Sequence, residues 1–559
     1  MRPLDFAFGL DVLTGAPPII WPHDEELTID SFAGGGGVST GCEMAIGRAP
    51  DVAINHDVAA LIMHAVNHPG TIHLPHNVWK AAPLAVTGGR PVGLFWLSPD
   101  CKDFSKAKGG VPKRKNIRDL AWVAVRWAQE VAPRVIILEN VEEFRQWGPL
   151  WLDPATGHLV PDPQRRGETF RAFVRALRRL GYRVQWRELR ACDYGAPTIR
   201  KRLFIVMRRD GEPIVWPKPT HGDPKSAAVR KGRLKPWVSA AEIIDFSIPC
   251  PSIFLTREEA KAAGCRRPLA PATMARIAKG VERHVLMEPK PFMVVCNHAG
   301  EGFHGHAIHE PFRTVTATRD AYGVVMPFLV PRYGERLGQE PRSRSVDRPA
   351  PVIVPTGNEG RLAAVFLAQH NTDMIGHDAR KPVSTIVGKG CTQAVVSLPV
   401  VAKYYSEGGS SQGVGEPLHT DTTKPRFGLI DAVGVRPPLS EAQAARARQV
   451  ADFLRAHGVA VDGEFATVGD FIIVDIGMRI LTPRERFNAQ GFPPGYVIDP
   501  EVNGKPLTVE AQGRMCGNSV PPPLAAAVIA ANYRPRKISA EPPPPTAPTL
   551  FDLMERRGA

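Results

Sequence analysis

Short apolar runs that alternate with helical segments constrain this chain more than any other feature. The runs are Leu27–Phe32, Asp51–Asn55, Val92–Leu97, Arg134–Leu138 and Leu203–Met207. Between them lie helical patterns that run through Ala45, over Ala121–Glu130 and over Phe170–Leu180. Near-continuous Val, Ile and Leu in runs this short read as strands covered on both faces. Strands alternating with helices predict an α/β class and a parallel, doubly wound, Rossmann-like sheet. Polar residues collect at the C-terminal ends of the strands, where such sheets carry their sites.

Composition narrows the partners. The 559 residues carry a formal charge of +14, which favours a polyanion such as nucleic acid. Eight cysteines are scattered without a Cys-x-x-Cys pair, so neither a zinc site nor a disulfide framework is expected, and no metal is predicted. No apolar stretch approaches the roughly 20 residues a membrane span needs. The start, Met1-Arg2-Pro3-Leu4-Asp5, lacks the order of a signal peptide, and a cytoplasmic home is expected.

The chain divides by texture. Prolines 17, 18 and 22 leave residues 1–26 irregular. The strand–helix rhythm occupies residues 27–210, and from about Gly211 prolines multiply and alternating β-branched residues take over. Four proline-led segments then recur, at Pro311–Thr316, Pro349–Val354, Pro382–Val387 and Pro417–Thr422, at a spacing of roughly 35 residues. Each precedes a polar stretch and a second apolar run, so the unit reads as a β-hairpin, and residues 211–478 read as a β-rich insertion. Leu439–His457 is a helix rich in Ala and Arg, and residues 534–559, with Pro542–Pro545, read as a disordered tail.

Two segments bear chemistry. Cys101 follows a strand in Ser98-Pro-Asp-Cys-Lys-Asp-Phe-Ser105, amid Lys102, Lys106, Lys108, Lys113, Arg114 and Lys115. That positive field favours a thiolate and suits a phosphate backbone. Glu139-Asn140-Val141 closes the next strand. A thiolate can add to C6 of cytosine while a carboxyl holds N3 protonated, the two actions that activate a pyrimidine. Upstream, glycines after Phe32 let backbone N–H groups approach a ligand, although a nucleotide loop or a tight structural turn fits that loop alone.

Taken together these segments resemble the DNA (cytosine-5) methyltransferase family. Asp30-Ser-Phe-Ala-Gly-Gly-Gly-Gly37 looks like its S-adenosylmethionine loop, and Glu139-Asn-Val141 matches its Glu-Asn-Val. The nucleophile loop has Asp100 where the family's proline adjoins the cysteine and Lys102 for its glutamine, while Phe104-Ser105 stay in register. Thr198-Ile-Arg200-Lys-Arg202 resembles a Gln-x-Arg-x-Arg segment with Thr for Gln. Arg479–Glu485, Gln490–Pro493 and Gly517-Asn-Ser-Val-Pro521 resemble the family's closing motifs, so residues 479–533 would return to the catalytic domain.

The resemblance implies roles. Cys101 would be the nucleophile, Glu139 the acid at N3, Arg202 the contact to O2 and Arg200 its neighbour. Phe32 would stack on adenine, with Ala33, Gly34, Gly35, Gly36 and Gly37 cradling the cofactor. His56 or Asp57 would meet the ribose, and Asn518 and Ser519 the methionine end. The substrate would be a cytosine flipped from duplex DNA, and the protein a monomer. Any cognate restriction nuclease would be a separate chain. Arg313, Arg319, Arg342, Arg344 and Lys389 of the insertion would supply DNA contacts. An RNA cytosine-5 methyltransferase of the same fold and a catalytically silent DNA-binding relative are the alternatives.

Overall fold

The structure, a computed structural model, describes residues 21–100, 119–152, 154, 159–245, 248–286, 437–468, 471–502 and 504–538. It also describes the strands Phe292–Val294, Gly305–Ala307, Phe366–Leu367, His377–Asp378, Ser397–Lys403 and Phe427–Val435. Cys101 with its basic run, the four proline-led segments, and Arg313, Arg319, Arg342, Arg344 and Lys389 lie outside the described residues.

The first half builds one sheet. Its strands are β1 (Leu27–Ser31), β2 (Val52–Ile54), β3 (Ile72–Leu74), β4 (Val92–Leu97) and β5 (Val135–Asn140). After a small hairpin, β6 (Leu150–Leu152) with β7 (Leu159–Pro161), come β8 (Arg183–Arg190) and β9 (Lys201–Arg208). The order across the sheet is β3-β2-β1-β4-β5-β9-β8. β1 to β5 run parallel, but β9 is antiparallel to both β5 and β8. The fully parallel sheet expected from the strand–helix rhythm is therefore corrected to a mixed one. β8 enters directly from a helix and returns through a short loop into β9, and a return that short can only reverse direction.

Alternation along the central strands sorts two cores. Phe95, Leu97, Ile136, Leu138, Leu203 and Ile205 face Trp127, Phe173 and Leu177 on one side. Leu94, Trp96, Val135, Ile137, Phe204 and Val206 face α1 (Gly37–Ile46) and the helix Pro522–Asn532 on the other. Phe95 stacks on Trp127 at 4.4 Å between ring centres. Gly41 of α1 approaches that last helix so closely that a Cβ would sit 2.7 Å from the Ala525 methyl, which is why a glycine stands there. Thus the chain's last described helix closes the face that its first helix opens.

A second sheet lies in the later chain. Its order is Phe292–Val294, Gly305–Ala307, Ser397–Lys403, Phe427–Val435, Phe471–Ile480 and Thr467–Val468. The helices Pro271–Val281 and Glu441–Ala456 contribute buried residues to the same region. Residues 534–538, expected to belong to a disordered tail, instead pair with the entry to β1. Glu26 N donates to Arg536 O at 2.9 Å and Ile538 N to Asp24 O at 2.8 Å.

Candidate active site

The strand order reverses direction between β1 and β4, and the crevice outside the carboxyl ends there is where doubly wound sheets bind ligands. Three loops meet at that end: Phe32–Gly36, the root of the Cys101 loop, and Glu139–Val141. Ser98 N donates to Ser31 O at 3.2 Å, and Trp96 Nε1 donates to Ser98 Oγ at 2.9 Å. Asn140 Nδ2 donates to Pro99 O at 3.1 Å while its Oδ1 accepts from Val141 N at 2.9 Å. The Glu139 strand end and the base of the Cys101 loop are thereby tied together by one buried side chain.

Glu139 is buried, and Arg202 Nε lies 3.2 Å from its Oε1. Their positions follow from register, because Glu139 pairs with Phe204 and Asn140 with Leu203 across β5 and β9. Burial pushes the Glu139 carboxyl above its ordinary value, against the pull of Arg202 and then Arg200. Arg200 is also buried, and its Nη1 donates to Gly517 O at 3.1 Å. That bond joins the arginine pair to the Gly517–Pro521 segment. Glu139, Arg200 and Arg202 form one cluster; Cys101 lies outside the described residues.

The glycine loop is shaped from both sides. Phe32 adopts φ 64°, a conformation that costs a non-glycine residue about 1–3 kcal/mol, and Gly34 and Gly36 adopt φ 55° and 93°. α1 starts without a side-chain cap hydrogen bond, so no side chain of the N-cap takes up its first N–H groups. A Cβ on Gly34 would meet nothing nearer than Phe32 O at 3.9 Å, so this side of the loop is open. The other side is filled. A Cβ on Gly35 would come 3.1 Å from Met63 Sδ, and one on Gly37 would overlap the Ser519 hydroxyl. Ser519 therefore does come back beside the loop, whereas Asn518 next to it is exposed.

Asp57 is the N-cap of α2 (Val58–Asn67), where its Oδ1 accepts from Ala59 N at 3.2 Å, and its Oδ2 lies 3.0 Å from Arg514 Nη2. His56 is exposed.

Beneath the loop lies a buried polar chain that no motif announces. Ser39 Oγ donates to Asp30 Oδ2 at 3.0 Å and lies 2.8 Å from His64 Nε2; His64 Nδ1 lies 2.8 Å from His73 Nε2. With Ser39 donating to Asp30, the consistent tautomers have His73 donating to His64 and His64 to Ser39. Burial holds His64 well below the usual histidine range, His73 down at about 4, and Asp30 up at about 7. The donors all point toward one carboxylate. Among the described residues, Asp30 Oδ1 and the neighbouring Ser31 Oγ are buried with no hydrogen-bond partner.

Those orphan acceptors, the open face of Gly34 and the uncapped start of α1 suit a ligand with an ammonium group, a carboxylate and an adenosine. S-adenosylmethionine has all three, and Phe32, Ala33 and Gly34 would hold it. Among the described residues, no cluster of three His, Cys, Asp or Glu side chains is placed to hold a metal. No described helix is long and apolar enough to cross a membrane.

A family model matches where these elements lie. The model for C-5 cytosine-specific DNA methylase covers residues 27–236 and 432–534, and the chain belongs to that family. It is similar to the type II methyltransferase M.AgeI of Thalassovita gelatinovora, 29% identical over 36% of this chain and 44% of that protein. It is also similar to M.SacI of Streptomyces achromogenes, 30% identical over 30% of this chain and 42% of that protein. The chain thus spans less than half the length of either. M.AquIA of Picosynechococcus is 25% identical over 39% of this chain and 88% of that protein. Among solved structures, a DNMT2 mutant from Spodoptera frugiperda aligns with 90% of this chain and 99% of its own, at 13% identity and a TM-score of 0.41.

Proposed function

We propose that this chain is a DNA (cytosine-5-)-methyltransferase that transfers a methyl group from S-adenosylmethionine to C5 of a cytosine flipped out of duplex DNA. The observation that carries this reading is the Asn140 clamp. It ties the root of the Cys101 loop to a strand end where a buried carboxyl faces an arginine, beside an open glycine loop.

The Cys101 thiolate adds to C6 of the ring. Glu139, kept protonatable by burial, holds the proton at N3, and Arg202 holds O2, with Arg200 ordering the pocket from behind. The bound cofactor supplies an electrophilic sulfonium methyl. The electron pair released onto C5 would form the bond to that methyl while the methyl–sulfur pair stays on sulfur, and the thioether S-adenosylhomocysteine would leave. Loss of the C5 proton to a base then expels the thiolate, and the N3 proton returns to Glu139. Phe32 would stack on adenine, His56 or Asp57 would meet the ribose, and Asn518 and Ser519 would meet the methionine end.

The domain division follows the same reading. Residues 27–210 and 479–533 form the catalytic part, and residues 211–478 choose the DNA sequence. The relatives are type II methyltransferases, which favours a restriction–modification role with any nuclease on a separate chain, and a cytoplasmic monomer. The test is transfer of labelled methyl groups from S-adenosylmethionine to duplex DNA and, separately, to RNA. Label in DNA with none in RNA is the expected result. Label in RNA alone would replace the substrate, and retained DNA binding with no label in either would make the chain a silent relative.

A further inference from the structure

We infer that Tyr496 is a positioning residue for the glycine loop: with Asn67 and Arg484 it forms a strut that fixes the Gly35–Gly36 peptide, and so the orientation of the amides offered to the cofactor. The inference rests on the S-adenosylmethionine reading of that loop.

The Tyr496 hydroxyl donates to Gly35 O at 2.6 Å. On the other side of the same peptide unit, Gly36 N donates to Ala33 O at 3.1 Å. The peptide plane is therefore held at both ends, immediately before α1 begins. Nothing intrinsic would hold it, since Gly34 to Gly37 are all glycine and move among conformations easily. The same geometry explains a sequence feature: a Cβ on Gly36, already at φ 93°, would overlap the Tyr496 hydroxyl. Loop and tyrosine fit only as a pair.

The strut is anchored independently of the loop. Arg484 Nη2 donates to Tyr496 O at 2.7 Å. At the end of α2, Asn67 Nδ2 donates to Val497 O and Asn67 Oδ1 accepts from Val497 N, both at 2.8 Å. The Tyr496 ring packs on Phe492, 4.7 Å between centres, and on His68 at 5.9 Å. Burial pushes the phenol far above its ordinary range, so it stays a donor at any working pH. The segment that carries it follows the helix Pro483–Gln490, whose Glu485 pairs with Arg479 of the second sheet at 2.8 Å. The strut thus links the base of the β-rich region to the loop.

Tyr496→Phe keeps the ring and removes only the donor. Titration calorimetry with S-adenosylhomocysteine should show a dissociation constant about tenfold higher than the parent's, the upper scale for one buried hydrogen bond. With S-adenosylmethionine, KM for the cofactor should rise while kcat at saturation stays within about twofold. Asn67→Ala, which releases Val497 without touching the loop, should shift the same constant in the same direction by less. Hydrogen exchange of the peptide 31–41 in cofactor-free protein gives a readout that needs no ligand, and it should quicken in both variants. A merely structural tyrosine would lower the unfolding midpoint and leave both the constant and the exchange of this peptide unchanged; that result overturns the inference. If the parent binds neither cofactor form, the cofactor reading fails on its own, and unchanged exchange in Tyr496→Phe would then sink the strut.

Discussion

Glu139 and Asp30 are both buried carboxyls near the C-terminal ends of parallel strands in one sheet, and burial pushes both upward. They differ in what faces them. Arg202 and Arg200 oppose the shift at Glu139, whereas at Asp30 the Ser39 hydroxyl alone does among the described residues, and that carboxyl reaches about 7. The lesson is that desolvation alone does not assign a role. At Glu139 burial and two guanidinium groups act in opposite directions on one carboxyl that faces the proposed base pocket. The Asp30 carboxyl accepts from the neutral Ser39 hydroxyl, and among the described residues its Oδ1 has no partner and no cation faces it. On this reading one carboxyl serves the base and the other the cofactor.

The largest expected effect breaks the first member of the pair. Glu139→Gln should lower kcat by about 10²-fold or more, the usual scale for a positioned acid. DNA and cofactor affinities should hold. The fold should not suffer either, because a carboxyl raised by burial loses stability on ionising, and glutamine stays neutral. Unfolding midpoints at pH 7 that match or exceed the parent's, beside the lost rate, would separate chemistry from folding. A rate near the parent's would remove Glu139 from the proton path.

A smaller effect sharpens the second member. Between pH 4 and 7 the unfolded chain releases the Asp30 proton that the folded chain retains, so the parent loses stability as pH rises through that window. The slope from this group is at most about 1.4 kcal/mol per pH unit. Asp30→Asn lacks this term. Its urea midpoint should therefore gain on the parent's as pH rises toward 7 and then run level with a constant lead. A lead that does not change with pH would mean Asp30 already ionises normally in the folded protein.

The sequence carries part of this comparison openly and hides the rest. β1, its glycine loop and α1 are legible because a continuous apolar run, a glycine cluster and a helical pattern each have a local cause. β3 is only three residues long, Ile72–Leu74, and gives too short a run to recognise. β8, Arg183–Arg190, is an edge strand whose exposed side is charged, so its apolar content is diluted. The direction of β9 leaves no trace in its apolar run, since a strand buried on both faces reads alike either way. Glu139 and Arg202 were nameable from motifs, yet their facing depends on strand register. His64, His73 and Tyr496 carry no local signature, because their partners come from other segments: Tyr496 meets a glycine 461 positions away. A Gly-Phe-Pro run just before Tyr496 was the one signal available. For Asp57, the resemblance implies a ribose contact, while the structure shows its carboxylate capping α2.

The covalent step tests the central claim most directly. A duplex carrying 5-fluorocytosine at the methylated position has no C5 proton to lose, so an adduct formed through Cys101 cannot be released after methyl transfer. Incubated with S-adenosylmethionine and run under denaturing conditions, the parent should give a protein–DNA band and Cys101→Ser none, since a serine alkoxide is far rarer than a thiolate near neutrality. An equal band from both proteins, or a parent that methylates cytosine yet never forms the band, would contradict it.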